Sequence, residues 1–356
     1  MRVVITGATG NVGTALVRAL VADERVDEIV GIARRAPDIR PPKTTWEALD
    51  VASDDLRPAF EGADAVVHLA WAIQPSRDLR ALWRTNVLGS WRVFDAAVGA
   101  GAGALVHASS VGVYSPGPKD RAVDESWPRM GTPTSDYARH KAEAERRLDQ
   151  VERAAPGMRV VRMRPGLCFS REAATGVRCL FAGPLLPPPA ARPSRIPRVP
   201  DIPGLRFQAV HSDDAAQAYR LALARDARGA FNVAAEPVLD AAALGELLGA
   251  RPVRVPSRVA RTAVAALWGL HLVPASPYLL DLVLSLPVMD TTRAREELGW
   301  SPTVDAKDAL GEVLDAMGRG EGGPTPPLAA ETGGPARLRE VATGVGQVAG
   351  VTPDGR

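Results

Sequence analysis

The stretch TGATGNVG, residues 6–13, follows the apolar run RVVIT and opens the amphipathic stretch NVGTALVRALVA. Its three glycines tolerate positive φ and have no Cβ, so the backbone can turn sharply and approach a phosphate closely. A helix that begins here offers unpaired N–H groups and a partial positive charge to a pyrophosphate. Because the glycines lie between a predicted strand and a predicted helix, they predict a dinucleotide-binding turn.

Short apolar runs alternate with longer helical patterns through residues 1–165. The runs with strand character are RVVIT, DEIVGIA, ADAVVHLA, GALVHAS and RVVRM. NVGTALVRALVA, LRALWRTNVLGSWRVFDAAVGA and the segment around Tyr137 have helical patterns instead. The alternation predicts a parallel sheet covered by helices on both faces. We therefore expect an α/β fold with a Rossmann-type doubly wound parallel sheet and a smaller, mostly helical C-terminal substrate domain.

The regular alternation of strand and helix patterns ends after Pro165, which suggests a domain boundary there. We expect residues 1–165 to form the dinucleotide-binding domain, residues 205–235 to return to it, and residues 166–318 to form a substrate-binding region. The proline-rich residues 183–204 exclude a helix or central strand and predict an extended loop. Residues 319–356 are rich in Gly and Pro, which predicts a largely disordered tail.

The charge and cysteine content exclude several classes of protein. A net charge of +2 over 356 residues gives no support for a nucleic-acid partner. Cys168 and Cys179 lack metal-ligand or disulfide spacing, and the five histidines form no ligand motif, so we expect no metal site. The arginines of the proline-rich loop would either clamp an anionic substrate or, as we favour, be solvated; they are Arg192, Arg195 and Arg198.

Two observations bear on the location of the protein. MRVVITG enters a strand pattern at once, which leaves no room for a signal peptide. The apolar region from Val259 to Met289 is broken by Pro274, Pro277 and Pro287, so we expect no membrane span. With free cysteines, these observations favour the reducing cytoplasm.

SDYARHK, residues 135–141, places Tyr137 and Lys141 four residues apart in a segment rich in helix formers. On a helix the two side chains point the same way. A neighbouring ammonium favours the phenolate, so the pair would move a proton to or from a substrate oxygen near neutral pH. Two side chains that merely share a helix face are the alternative.

The second predicted strand ends in GIARRAP, with Ala33 where an acidic residue would bind the ribose 2′-hydroxyl of NAD. Arg34 and Arg35 follow, and arginines there can hold the 2′-phosphate of NADP. NADP is therefore the favoured cofactor. NAD remains the alternative, with both arginines on a loop and the backbone holding the ribose.

With TGATGNVG, the Ser-Ser segment before Val113-Tyr114 and YARHK together, the chain resembles the extended short-chain dehydrogenase/reductase family. This family contains nucleotide-sugar epimerases, dehydratases and related ketone reductases. The resemblance covers about residues 1–317, more loosely after residue 165. It implies that Tyr137 and Lys141 are catalytic, together with Ser110, for which Ser109 is the alternative. By family analogy the molecule would form a homodimer through the helices that hold Trp83, Trp91, Phe94 and Tyr137. The alternative is that these aromatic side chains are buried within the monomer.

The resemblance also implies the residues that bind the cofactor. They are Gly7, Thr9, Gly10, Asn11, Val12 and Gly13 at the pyrophosphate, Asp50 and Val51 at the adenine, Leu69 and Ala70 after the fourth strand, Tyr137 and Lys141, and Arg164 and Pro165, which lead to the nicotinamide. Asn86 would support the core. As alternatives to these roles, Asn86 and Arg164 would be structural residues, and Asp50 would simply begin a loop.

Three functions are compatible with this resemblance. The favoured one is an NAD(P)-dependent oxidoreductase that transfers hydride at a carbinol or carbonyl carbon. The second is a nucleotide-sugar epimerase or dehydratase that recycles bound NAD, and the third is a non-catalytic cofactor sensor, which usually lacks the tyrosine or lysine. Nucleotide-sugar enzymes typically carry an arginine where this chain has Phe207, an asparagine that RPGLCFS lacks, and, in dehydratases, acids where Val111 and Gly112 stand. In contrast, TTRAREELGWSPTVDAKDAL resembles the end of sugar epimerases.

Overall fold

The computed structural model describes residues 1–73, 77–192 and 195–333, with Leu338. The strands are β1 Arg2–Thr6, β2 Glu28–Ala33, β3 Thr44–Ala48, β4 Ala65–His68, β5 Ala104–Ala108, β6 Ala122–Val123, β7 Arg159–Pro165, β8 Leu167–Phe169, β9 Arg198–Asp201, β10 Arg206–His211, β11 Gly229–Val233, β12 Ala235–Asp240, β13 Arg251–Arg254 and β14 Val288–Met289. The α-helices are α1 Asn11–Val21, α2 Arg57–Phe60, α3 Leu79–Trp83, α4 Gly89–Gly99, α5 Asp136–Ala154, α6 Ala174–Phe181, α7 Ser212–Ala224, α8 Ala241–Leu248, α9 Ser257–Gly269, α10 Pro277–Ser285, α11 Thr292–Leu298 and α12 Ala306–Arg319. A π-helical turn, Arg84–Leu88, joins α3 to α4.

Seven parallel strands form the central sheet, in the order β11-β7-β5-β4-β1-β2-β3. This confirms the predicted Rossmann-type sheet. The strand order reverses between β1 and β4, and ligands of such sheets bind at the carboxyl ends of the strands at this point. The sequence analysis missed β3, because its edge position leaves TTWEA half-buried or exposed and removes the apolar signal.

Both faces of the sheet are buried by helices. Val3 and Ile5 of β1 join the core with α1 and α7, whereas Val4 joins the core with α4 and α5 on the opposite face. This follows from the alternation of side chains along a strand. Phe94, which family analogy placed at a dimer contact, has no exposed surface and belongs to the second of these cores.

A second, smaller region packs beside the carboxyl ends of the strands. It contains a three-stranded sheet, β12-β10-β8, and two short pairs, β13-β9 and β14-β6. Helix α12 packs on the three-stranded sheet with Leu310 and Val313. Within residues 205–235, β10 belongs to this three-stranded sheet. The strand β11 belongs to the central sheet, and α7 packs in the core beside it. The proline-rich loop contributes β9, which forms a two-stranded sheet with β13.

Residues 320–333 fold against the body of the protein, although the sequence predicted disorder from residue 319. Thr325 has no exposed surface and Leu328 is 4% exposed. A Cβ on Gly322 would lie 2.4 Å from the Leu328 carbonyl oxygen, so glycine here permits a tight turn rather than disorder. Residues 334–337 and 339–356 of the predicted tail lie outside the described residues.

Among the described residues, no helix is both long and apolar enough to span a lipid bilayer.

Candidate active site and cofactor-binding turn

The turn after β1 requires glycine at its first position. Gly7 has a φ of 73°, and a Cβ there would lie 2.6 Å from the backbone nitrogen of Ala70. The Gly7 N–H donates to the Ile32 carbonyl oxygen at 2.8 Å, which ties the turn to β2. The backbone of Leu69 and Ala70 after β4 therefore lies directly against the glycine turn.

The turn passes directly into α1, whose N-cap is Gly10 without any side-chain cap. A Cβ on Gly13 would lie 2.3 Å from the Gly7 carbonyl oxygen, so the helix contacts the turn closely. The first N–H groups of a helix have no intrahelical acceptor, and here they belong to Asn11, Val12 and Gly13. A pyrophosphate is the chemical group that such donors and the helix dipole fit.

The Asn11 side chain binds protein atoms instead of facing the pyrophosphate site. Its amide nitrogen donates to the Cys168 carbonyl oxygen at 3.0 Å. Its amide oxygen accepts hydrogen bonds from Ser170 at 2.9 Å and from Ser212 at 2.8 Å. Asn11 therefore anchors the start of α1 to β8 and α7, and only its backbone N–H is left for a cofactor.

Two further pairs of predicted cofactor residues lie just after the carboxyl ends of β3 and β2. Asp50 follows β3 and accepts a hydrogen bond from the Ala52 N–H at 2.8 Å, and Val51 beside it is buried. Arg34 and Arg35 follow β2 and are exposed. Partial burial, and then the neighbouring charge of Arg34, lower the pKa of Arg35. Two adjacent guanidinium groups directly after β2 favour an anionic ligand.

Asn86 holds the segment after β4. Its side chain accepts a hydrogen bond from the Ala72 N–H at 2.7 Å and donates to the Ala72 carbonyl oxygen at 3.1 Å. This pairing holds the backbone that follows Ala70.

Ser110 and Tyr137 lie close together beside Gly112, since a Cβ on Gly112 would lie 3.5 Å from the Ser110 hydroxyl oxygen. That hydroxyl accepts a hydrogen bond from the Gly112 N–H at 3.0 Å. A Cβ on Gly112 would lie 2.8 Å from the tyrosine ring, so a side chain there would displace the ring. Ser109, the alternative to Ser110, donates instead to the buried Glu145 at 2.5 Å.

The structure does not show the lowered tyrosine pKa that the Tyr–Lys pair predicted. Burial raises the pKa of Tyr137 to about 12, although the neighbouring Ser110 hydroxyl acts in the opposite direction. Burial also lowers the pKa of Lys141 well below the usual value for lysine, which weakens any electrostatic effect on the phenol. Desolvation therefore outweighs the effect of the neighbouring lysine on the tyrosine pKa.

Trp71 is a site residue that the sequence analysis missed. The Lys141 ammonium lies 3.4 Å from the centre of the Trp71 ring and donates to the Ala108 carbonyl oxygen at 2.5 Å. The Trp71 ring also meets Tyr137 edge-on, with ring centres 6.1 Å apart. A cation held over an aromatic face is stabilised without a carboxylate. The only local signal was its position directly after Leu69-Ala70.

Arg164 lies in a buried network rather than at the turn. It donates to both carboxylate oxygens of Glu145, at 2.9 and 2.6 Å, and to the Tyr114 hydroxyl at 3.0 Å. Burial alone would raise the pKa of Glu145, but the hydrogen bonds from Arg164 hold it below its usual value. The guanidinium therefore stabilises the core between β7 and α5, and Pro165 ends β7 beside it.

Two buried histidines pack behind the Tyr–Lys pair. His68 bonds Thr6 at 2.6 Å and Ser90 at 2.8 Å, and its ring stacks on that of His107 with centres 5.3 Å apart. Neither ring nitrogen of His107 has a hydrogen-bond partner among the described residues. Burial lowers the pKa of His68 to about 3 and that of His107 well below its usual value.

These lowered pKa values predict a loss of stability in acid. The unfolded chain binds protons on these histidines below about pH 6.5, while the folded protein does not, so stability falls as the pH decreases. Each neutral buried histidine costs about 2 kcal/mol at pH 5. We expect His107→Phe to reduce the loss of unfolding free energy between pH 8 and pH 5 by about 2 kcal/mol in urea titrations. The comparison at pH 8 is the control, and an unchanged loss would contradict the prediction.

The fold and this site define an enzyme of the extended short-chain dehydrogenase/reductase class. The profile of the NAD dependent epimerase/dehydratase family matches residues 3–234, and the chain belongs to that family. Among the described residues, no group of three or more His, Cys, Asp or Glu side chains could hold a metal ion.

Individual relatives differ in how much of the chain they match. The uncharacterized protein Rv2047c of Mycobacterium tuberculosis is 29% identical over 329 residues, which are 89% of this chain but 30% of that protein. The chain thus spans less than a third of that relative's length. L-arabinose 1-dehydrogenase (NAD(P)(+)) of Haloferax volcanii is 38% identical over 114 residues, 32% of this chain and 42% of that enzyme. The structure of Thermus thermophilus UDP-glucose 4-epimerase with NAD superposes with a TM-score of 0.65 at 21% identity, covering 89% of this chain and 99% of that one. This last likeness shows the fold.

Proposed function

We propose that the protein is an NAD(P)-dependent oxidoreductase that transfers hydride at a carbinol or carbonyl carbon of a small molecule. The observation that carries the proposal is the close approach of Ser110 and Tyr137 at Gly112, where an added Cβ would lie 3.5 Å from the Ser110 hydroxyl oxygen and 2.8 Å from the Tyr137 ring. Lys141 lies one helical turn further along α5, and the glycine turn lies at the switch point of the sheet. A proton-transfer group thus meets a dinucleotide site at the place where such sheets bind ligands.

Each side chain has a distinct task in this proposal. The bound nicotinamide would donate or accept the hydride. Tyr137 gives a proton to the substrate oxygen during reduction, for which a pKa of about 12 keeps the phenol protonated at neutral pH. Ser110 orients the phenol and the substrate oxygen. Lys141 would hold the nicotinamide ribose.

A nucleotide-sugar epimerase or dehydratase is the second candidate, favoured by the likeness in fold and by the sequence of residues 291–310. That segment has a structural role here, because Trp300 donates to the Asp214 carbonyl oxygen at 2.8 Å and Thr303 donates to the Asp214 carboxylate at 2.7 Å. Arg206 does not replace the arginine missing at Phe207, since its guanidinium donates to the Lys119 carbonyl oxygen. These contacts favour the oxidoreductase.

Nucleotide release distinguishes the two candidates. The protein is denatured directly after purification, the released nucleotide is identified, and the emptied protein is titrated with NADPH and NADH. Stoichiometric NAD that stays bound through purification would contradict the oxidoreductase and support an epimerase or dehydratase. Protein that is purified empty and binds a reduced cofactor supports an oxidoreductase that exchanges cofactor in each turnover.

NADP is the proposed cofactor, because Arg34 and Arg35 form an exposed cationic pair directly after β2. We expect the double change Arg34→Ser and Arg35→Ser to raise the Kd for NADPH by about 10- to 100-fold through the loss of charge-assisted hydrogen bonds. The Kd for NADH should change by less than about threefold, within about 0.7 kcal/mol. Arg40→Ser, on the same loop, is the matched control. Equal losses for both cofactors would contradict NADP specificity.

The homodimer that family analogy predicts stays a prediction. Leu79, Trp83 and Leu88 lie on one continuous helical segment and are 51%, 41% and 40% exposed. Such a row of exposed apolar side chains is compatible with an interface between two copies.

A further inference from the structure

Residues 320–333 form a compact segment, which we call the C-terminal strap. Its backbone is closed by hydrogen bonds from the Gly323 N–H to the Leu328 carbonyl oxygen at 2.7 Å and from the Leu328 N–H to the Thr325 carbonyl oxygen at 2.9 Å. The Thr332 hydroxyl donates to the Pro326 carbonyl oxygen at 2.8 Å. The strap therefore has a defined conformation of its own.

One side chain of the strap reaches the glycine turn. The Thr325 hydroxyl donates to the Thr9 carbonyl oxygen at 2.7 Å, across 316 residues of sequence. Thr325 has no exposed surface, and Thr9 is 6% exposed. A buried hydrogen bond of this kind excludes water from the carbonyl that it serves, so its removal leaves an unpaired acceptor.

The strap is also attached beside α1. Glu321 accepts a hydrogen bond from Arg171 at 2.9 Å. The neighbouring Glu172 accepts from Arg18 of α1 at 2.9 Å, and its Cβ lies where a Cβ on Gly323 would approach to 3.2 Å. The strap, the segment before α6 and α1 thus form one contiguous set of contacts.

The Thr325 contact bears on the geometry of the phosphate site. The Thr9 carbonyl and the Gly10 N–H belong to one planar peptide unit. The Gly10 N–H donates to the Gly7 carbonyl oxygen at 3.0 Å, and the Thr9 carbonyl accepts from Thr325, so both ends of this unit are held. Gly10 is the N-cap of α1 and has no side chain to cap the helix. The orientation of this peptide therefore sets the direction of the N–H groups that follow.

We propose that the C-terminal strap completes the cofactor site and that Thr325 is a positioning residue for the pyrophosphate. Its hydroxyl holds the Thr9–Gly10 peptide and thereby orients the N–H groups of Asn11 and Val12. This inference rests on the proposed dinucleotide site and adds to it a residue far outside the glycine turn.

Thr325→Val tests the inference, because valine keeps the shape of the side chain and removes the donor. We expect the Kd of the better-bound reduced dinucleotide to rise about five- to tenfold, the effect of one lost hydrogen bond to a buried acceptor. Adenosine 2′-monophosphate, which contains no pyrophosphate, should compete for the site with a Ki changed by less than about twofold, since the adenine end is not touched. Thr325→Ser keeps the hydroxyl and should restore the dinucleotide Kd.

Thr332→Val is the matched control, since it removes a hydroxyl that bonds only within the strap. The Thr332→Val variant should bind the dinucleotide as tightly as the wild type. This should hold even if its melting temperature without cofactor is lowered as much as that of Thr325→Val. Equal Kd values for the wild type and Thr325→Val, or equal weakening by both valine variants, would overturn the inference and leave the proposed function standing. A wild type that binds neither NADPH nor NADH would overturn both.

Discussion

Tyr137→Phe is expected to lower kcat by about 10³-fold or more, because it removes the group that in the proposed mechanism transfers the proton to the substrate oxygen. The phenylalanine ring keeps the packing against Gly112 and Trp71, and Ser110 keeps its hydrogen bond from the Gly112 N–H. Cofactor binding should therefore change by less than about threefold, within about 0.7 kcal/mol. The measurements are steady-state turnover with an accepted substrate and fluorescence titration with NADPH.

Tyr278→Phe is the matched control for this change. Tyr278 lies on α10 with 43% of its surface exposed, so the loss of its hydroxyl should alter neither turnover nor binding. Normal turnover by the Tyr137 variant would remove the proposed mechanism. Loss of cofactor binding by the same variant would instead indicate a structural role for the phenol.

Gly13→Ala is expected to have the largest effect on cofactor binding. The added Cβ would lie 2.3 Å from the Gly7 carbonyl oxygen and 2.8 Å from the Ala8 Cα, both backbone atoms that cannot rotate away. The helix must then move away from the turn, which displaces the N–H groups of the proposed pyrophosphate site. We expect destabilisation by about 1–3 kcal/mol and a dinucleotide Kd raised by at least about 30-fold. Urea unfolding and NADPH titration measure the two effects.

Gly176→Ala provides the contrast, because no described heavy atom lies within 4 Å of a Cβ at this position in α6. A helical Gly→Ala change in open space should stabilise the protein by about 0.5–1 kcal/mol and leave the cofactor Kd unchanged. If Gly13→Ala instead bound NADPH as tightly as the wild type, the close approach of α1 to the turn would have no role in binding.

The family resemblance implied a place in the site for Ser110, Asp50 and Arg164, and the structure agrees with it to different degrees. The resemblance implied Ser110 as catalytic with Ser109 as the alternative, and in the structure Ser110 lies beside Tyr137 whereas Ser109 binds Glu145. Asp50 follows β3, and its implied contact with adenine stays a prediction. Arg164 also has its predicted place in the chain, yet its guanidinium pairs with Glu145 in the core. The strand or loop that carries each of these residues was predictable from the sequence, whereas the partners of their side chains were not.

The sequence by itself determined the glycine turn, the alternation of strands and helices and the pairing of Tyr137 with Lys141. All three depend on spacing over a few residues, which the periods of helix and strand translate directly into geometry. The tertiary structure alone decided the Trp71 contact with Lys141, the buried Arg164–Glu145 pair and the docking of Thr325 on Thr9. It also decided the pKa of Tyr137, because burial is produced by every element that packs around the phenol and has no signature in the neighbouring residues.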